Sequence, residues 1–321
     1  MFDHYSVFKI NSEIEFNSKA LELYKFQSVH CPIYKKFISI INRPEPKSYQ
    51  EIPCLPISFF KEHMILNQIK EVKLKFKSSG TTEQKRSCHY ITDPNLYEAS
   101  FLKSYKQFIG NPEDQIILAL LPNYIEQGES SLVYMVNELI KKSNHQSSEF
   151  VLENTSKIID VYQKLPQEKT LVIIGVSYAL LDLAKKNVDL KNAIVIETGG
   201  MKGKREELTK EDLHLKLKQG LNTNHIYSEY GMTELLSQSY STKNQLFNAP
   251  NWKKILIRDL QDPYKLENMG ETGGVNIIDL ANSNSCAFIA TDDLGVQFEN
   301  GFKIKGRIDQ SMQRGCNLLI N

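Results

Sequence analysis

Apolar positions recur along this chain with two different periods. Between residues 115 and 231 the blocks QIILALL, TLVIIG and NAIVIETGG are short continuous apolar runs, the pattern of strands buried on both faces. They alternate with SSLVYMVNELIKK, SKIIDVYQKL, SYALLDLAKK and LTKEDLHLKLKQG, whose apolar residues return every three or four positions. NHIYSEYG closes the series as a strand running into a glycine turn. Strands alternating with amphipathic helices predict an α/β core, a mostly parallel sheet with helices on both faces.

The flanks read differently. In NSEIEFNSKALELYKFQSV, residues Ile14, Phe16, Ala20, Leu21 and Tyr24 lie near helical spacing. RPEPKSYQEIPCLPISFF is punctuated by proline and is expected to run extended. EVKLKFKSS alternates, with Val72, Leu74 and Phe76 on one side of a half-buried strand. Asp93 followed by Pro94 predicts a helix start, Tyr97, Phe101, Tyr105 and Phe108 form its apolar stripe, and Gly110 can end it. From about residue 252 the texture becomes short strands: WKKILIRDL, GGVNIIDL, CAFIAT, GVQF and FKIKG, with Asn300-Gly301 as a hairpin turn. Two domains are therefore expected, an α/β core over 1–250 and a β-rich subdomain over 251–321.

Composition narrows the functional classes. With 39 basic and 38 acidic residues, the net charge of +1 gives no reason to expect nucleic acid as a partner. No long apolar run suggests a signal peptide or membrane span. The five cysteines, Cys31, Cys54, Cys88, Cys286 and Cys316, are irregularly spaced and contain no C-x-x-C pair, which argues against a disulfide framework or zinc site. A cytoplasmic location is the expectation.

Three stretches carry candidate chemistry. FKSSGTTEQKRSCH, residues 76–89, follows a strand with hydroxyl side chains and a glycine, then Lys85 and Arg86. Backbone N–H groups, hydroxyls and nearby cations suit a phosphate chain. The same composition also fits a solvated surface loop, and the Walker pattern is absent. IYSEYGMTELLSQ ends a parallel strand, the edge where open α/β sheets bind ligands. There Tyr230 offers a flat face, Thr233 a hydroxyl and Glu234 a hard oxygen ligand for Mg²⁺. Glu234 also reads as an ordinary first-turn carboxylate. In IATDDLGVQFENGFKIKGRID, Asp293 could grip sugar hydroxyls and Arg307 follows a glycine. Taken singly, they read first as an ordinary acidic turn and a surface arginine.

Together the order is distinctive: a hydroxyl-rich loop, then Tyr-Gly-x-Thr-Glu, Thr-x-Asp and Gly-Arg-x-Asp. The chain resembles the adenylate-forming superfamily of acyl-CoA synthetases and luciferases. Within it, EIPCLPISFFK, SSGTT, YSEYGMTELLSQ, ATDDLG and RGCNL resemble the branch of phenylacetate–CoA ligase and the acyl-protein synthetases (LuxE) of bacterial bioluminescence operons. The resemblance runs from about residue 20 to the end.

The resemblance implies ATP and Mg²⁺ as cofactors. It implies that Ser78, Ser79, Gly80, Thr81, Thr82 and Lys85 form the phosphate loop. Gly199 and Gly200 would line the adenine and acyl pockets, and Tyr230 and Gly231 would flank the adenine. Thr233 would meet the α-phosphate, Glu234 the Mg²⁺, Asp293 the ribose and Arg307 the nucleotide beside a hinge. Cys316 would carry the acyl group, helped by Arg314 two positions away. It equally reads as a cysteine packed by Leu318 and Leu319. His89 either contacts the acyl carboxylate or packs.

Three departures from the family pattern stand out. Glu83 occupies a usual glycine position, the loop lacks Pro-Lys-Gly, and after Gly-Arg-Ile-Asp no mobile C-terminal domain with its catalytic lysine is expected. The implied substrate is a fatty or other apolar carboxylic acid. The implied acceptor is Cys316, or a thiol of coenzyme A, an acyl carrier protein or a partner enzyme. The alternatives are an ATP-independent acyltransferase using a preactivated thioester, a non-catalytic nucleotide-binding scaffold, and a ligase that borrows its lysine from a partner chain.

Overall fold

The computed structural model describes residues 2–67, 71–79, 85–122, 129–199, 208–241 and 245–308. The chain forms two compact units. One comprises Met1–Ser100, Thr233–Ser237 and Asn248–Asn321, and the other Phe101–Met232 and Gln238–Phe247.

The second unit carries the alternating series. Its sheet runs in the order Glu149–Phe150, Gln115–Leu120, Thr170–Val176, Ile194–Thr198 and Ile226–Tyr230, all parallel, with Ser239–Ser241 added antiparallel to the last strand. Every residue of Gln115–Leu120 is buried, as its unbroken apolar run predicts. The helices Ser131–Ser143, Ser156–Gln163, Ser177–Ala184 and Lys210–Leu221 connect the strands. Ser130 and Thr209 cap two of them by accepting from Val133 N–H and Asp212 N–H. Gly220 lets the last two helices approach closely, because a Cβ there would lie 2.4 Å from the Ala184 carbonyl oxygen.

The first unit joins the N-terminal hundred residues to an antiparallel meander. Lys253–Arg258, Thr272–Asp279, Phe288–Phe298 and Gly301–Arg307 pair in sequence. CAFIAT and GVQF, read as two strands, are one. The register slips between Leu294 and Gly295, so a bulge continues the strand where a turn was expected. Phe298 pairs with Gly301, leaving Glu299 and Asn300 as the hairpin loop, and Gly301 opens the next strand at φ +141°. Leu55–Pro56 pairs in parallel with Ile289 and Ala290.

The helix Glu13–His30 forms as expected, but its buried face is Phe16, Ala20, Leu23 and Gln27, and Ile14 is 82% exposed. Gln27 belongs inside because its amide donates to the carbonyls of Asn282, Ser283 and Ser285 and accepts from Ala287 N–H. The proline-punctuated stretch contains a 3₁₀ turn at Tyr49–Glu51 and runs into a helical turn at Phe59–Glu62. Leu74–Lys77 pairs antiparallel with Cys88–Ile91, so the hydroxyl-rich segment connects the arms of a hairpin. Asp93 accepts from Asn95 N–H and Leu96 N–H and starts the helix Pro94–Phe108, whose Tyr97, Phe101 and Tyr105 are buried. Among the described residues no helix is long and apolar enough to cross a membrane.

Candidate active site

The first unit supplies the acidic centre. Glu234 is 5% exposed. Burial lifts its carboxyl above the usual carboxylate range. A hydrogen bond from Ser87, its own backbone N–H, and the charges of Arg307 and Lys61 oppose that shift. Ser87 is itself fixed by the hairpin: its N–H donates to Ser78 Oγ at 3.0 Å, and its carbonyl accepts from Ser78 N–H at 3.0 Å. The Ser78 hydroxyl thus closes the base of the loop. Ser79 is exposed. Gly80, Thr81, Thr82 and Glu83 lie outside the described residues. Lys85 binds Glu62 at 2.6 Å on the surface, and Arg86 donates to the carbonyls of Ser78 and Lys77.

The segment around Glu234 is gripped from several sides. His89 Nδ1 lies 2.8 Å from the Thr233 carbonyl oxygen, which can only accept, so the proton sits on Nδ1. Burial drives the His89 imidazole down to about 4, partly opposed by its hydrogen bonds with Thr233 and Asn282. His89 is thus a packed, neutral donor that fixes the Thr233 backbone. Asn282 Nδ2 donates to the Glu234 carbonyl at 2.8 Å. Asp279 accepts from Leu236 N–H, Ser237 N–H and the Ser237 hydroxyl. Sequence reasoning missed Ser87, Asn282 and Asp279. For Asp279 and Asn282 the sequence signal is a polar residue interrupting an apolar run, in NIIDLANS, whereas Ser87 stands in the polar stretch EQKRSCH and carries none.

Asp293 and Arg307 are register partners at the end of the last hairpin, with Arg307 Nε 3.8 Å from the Asp293 carboxylate. The Arg307 side chain is 86% exposed, whereas that of Asp293 is 13% exposed. Within this unit Ser87 of the hairpin base hydrogen-bonds the Glu234 carboxyl, and the Arg307 charge acts on the same group. Lys85 is engaged elsewhere, with Glu62.

The second unit places Gly199 and Tyr230 at the carboxyl ends of neighbouring parallel strands. Gly199 has φ +69°, a conformation that favours glycine. The Ser177 hydroxyl lies 2.8 Å from Glu197 Oε1 and 2.9 Å from the Gly199 carbonyl oxygen. Glu197 is buried, with Lys210 Nζ 3.4 Å from its other oxygen. His214 Nε2 is 3.0 Å from Ser228 Oγ, and burial drives this imidazole to about 4 against the pull of Glu197. The Tyr230 ring lies 5.7 Å from the Phe247 ring, and Lys210 Nζ sits 4.5 Å from the Phe247 ring. A Cβ on Gly231 would fall 2.4 Å from Glu229 Oε1, so this position is close-fitting. Gly200 and Cys316 lie outside the described residues.

Among the described residues no group of three or more His, Cys, Asp or Glu could hold a metal. A single buried carboxylate such as Glu234 still fits Mg²⁺, which typically takes one or two carboxylates and completes its shell with waters and substrate phosphates. A cation would also relieve the burial that raises the Glu234 carboxyl.

No curated protein sequence matches the chain. ATP-bound MatB from Rhodopseudomonas palustris superposes with TM-score 0.56 at 16% identity, covering 75% of this chain and 49% of MatB. A 2-hydroxyisobutyryl-CoA ligase in complex with 2-HIB-AMP and CoA gives TM-score 0.68 at 13% identity, covering 93% of this chain and 68% of the ligase. The chain spans about half the length of the MatB structures it matches. At these identities the likeness establishes the fold, that of the adenylate-forming domain. The sequence pattern of the family described as "Acyl-protein synthetase, LuxE" matches residues 124–321, and the chain belongs to that family.

Proposed function

We infer that this chain activates a fatty or other apolar carboxylic acid with ATP and passes the acyl group to a thiol. The observation that carries this reading is the buried Glu234 on a tightly held segment, beside the hairpin base and within reach of the Arg307 charge. In the first half-reaction a carboxylate oxygen bonds to the α-phosphorus of ATP and the bond to pyrophosphate breaks. The chain's part is to align reactants and balance phosphate charge. Thr233 is assigned to the α-phosphate and residues 78–82 to the phosphate chain. Asp293 is assigned to the ribose, Arg307 to the nucleotide, and Gly199, Gly200, Tyr230 and Gly231 to the base. Glu234 would hold Mg²⁺, which when bound supplies positive charge to the phosphate oxygens. In the second half-reaction a thiolate attacks the acyl-adenylate carbonyl and AMP leaves. Cys316 is the assigned thiol, on its position in RGCNL, with the thiol of coenzyme A, a carrier protein or a partner enzyme as the external acceptor.

One observation favours a second reading, transfer from a preactivated thioester without ATP. Lys85, the loop cation, is already paired with Glu62. Two assays separate the readings. Dodecanoate-dependent exchange of pyrophosphate into ATP supports activation. Labelling of the chain by dodecanoate and ATP that Cys316→Ser abolishes, with exchange intact, supports Cys316 as acceptor. Absent exchange, together with labelling by dodecanoyl-CoA, would replace the first reading by the second.

A further inference from the structure

Ser237 lies three residues beyond Glu234, and each of its polar groups has a buried side-chain partner. Its N–H donates to Asp279 Oδ2 at 2.9 Å, beside the Leu236 N–H on the same oxygen at 2.9 Å. Its hydroxyl lies 2.5 Å from Asp279 Oδ1, 2.9 Å from Trp252 Nε1 and 2.8 Å from Ser100 Oγ. Its carbonyl accepts from Lys253 Nζ at 2.8 Å. Asp279 is 0% exposed and Lys253 1%, and the two are register partners on neighbouring antiparallel strands. All of these residues belong to the first unit.

Burying a carboxyl and an amine is an expensive way to close a turn, since apolar packing of the same volume is often as stable or more so. What they add is direction. Both Asp279 oxygens accept here and Lys253 Nζ donates, so the peptide groups at 236 and 237 have one orientation that satisfies both. Upstream, the carbonyls of Thr233 and Glu234 are fixed by His89 and Asn282. The five-residue segment is thus held at both ends, and the Thr233 and Glu234 side chains belong to a backbone fixed by these hydrogen bonds.

We propose that Asp279 and Lys253, acting through Ser237, are positioning residues that hold Thr233 and Glu234 for the nucleotide phosphates. The proposal rests on the acyl-adenylate reading above. Its test compares full-length Asp279→Ala, Asp279→Asn and Lys253→Met with the unaltered chain. The readouts are thermal melting, calorimetric binding of ATP across a Mg²⁺ titration, and dodecanoate-dependent pyrophosphate exchange. Asp279→Ala and Lys253→Met are expected to lower kcat about 100-fold, the effect of a displacement near 1 Å. They are also expected to raise the Mg²⁺ concentration for half-maximal ATP binding about tenfold, with KM for dodecanoate within about twofold. Asp279→Asn keeps one oxygen for the two amides, and its amide can donate to the Ser237 hydroxyl. It should recover most of both losses.

Partial unfolding would lower the amplitude of every signal without moving the Mg²⁺ midpoint. Folded variants with unchanged kcat and unchanged Mg²⁺ midpoint would overturn the positioning role alone. If Asp279→Ala does not fold, Lys253→Met decides, because it keeps the aliphatic stem. An unaltered chain that neither binds ATP nor exchanges pyrophosphate would remove the acyl-adenylate reading, and the positioning role with it.

Discussion

Two parts of the first unit are assigned to the same nucleotide, and they are built in opposite ways. Thr233–Ser237 is held by His89, Asn282, Asp279, Lys253 and Trp252, all buried. The end of the last hairpin carries Asp293 and an Arg307 side chain that is 86% exposed, joined across 3.8 Å. The first keeps a carboxylate where water is scarce, so its neighbours must be in place before any ligand arrives. The second sits where solvent screens its pairing and the arginine keeps its rotamer freedom. A group that meets developing charge gains most from fixed geometry. One that closes on a bound ligand gains from freedom to move.

The sharpest way to break this contrast is to cut the rigid side. Asp279→Ala leaves two buried N–H groups and a hydroxyl without their acceptor and strips Lys253 of its neighbouring carboxylate. A loss of about 3–5 kcal/mol in unfolding free energy is expected in a denaturant titration. A change below 1 kcal/mol would mean that the segment closes without its carboxylate.

Glu234→Gln should separate stability from activity. Because burial raises the folded carboxyl above its unfolded value, the protonated form is favoured in the fold. That contribution to stability is present at low pH and is lost as pH rises through the raised value. The neutral amide is expected to melt at a higher temperature near neutral pH, while pyrophosphate exchange falls about 100-fold or more. Equal activity would remove Glu234 from the centre.

The buried imidazoles give the rigid side a pH signature of the other sign. His89 and His214 both sit at about 4 in the fold, below the ordinary 6.5. Their neutral forms stabilise the protein fully above the unfolded value, and that stability is lost as pH falls from about 6.5 toward 4. A pH series of melting curves should show this decline, and His89→Asn should flatten part of it, leaving the share of His214.

The smallest stability effect belongs to the exposed side. Arg307→Ala should change unfolding free energy by less than about 1 kcal/mol. If the nucleotide role is right, the same variant raises KM for ATP severalfold. A large stability loss would show that this hairpin end is built like the buried segment.

Much of this is legible in the amino-acid sequence. The strands 115–120, 170–176, 194–198 and 226–230 and their helices follow from apolar runs and three-to-four-residue spacing, because both are properties of neighbours in the chain. The Asp93–Pro94 helix start was equally local. Less legible was the pairing of Leu74–Lys77 with Cys88–Ile91, since CHYI is too short to announce a strand. Gln27 was hidden for a different reason: a polar residue becomes core only when distant carbonyls come to meet it.

The amino-acid sequence by itself determined the alternation of elements, the order of the motifs and the type of chemistry each residue could offer. Tertiary structure alone decided that Lys85 pairs with Glu62, that His89 serves the Thr233 backbone, and that Asp279 and Lys253 grip Ser237. The reason is physical. Periodicity is set within a few residues, but satisfying a buried charge takes partners from segments tens of residues away, and only the folded chain brings those together.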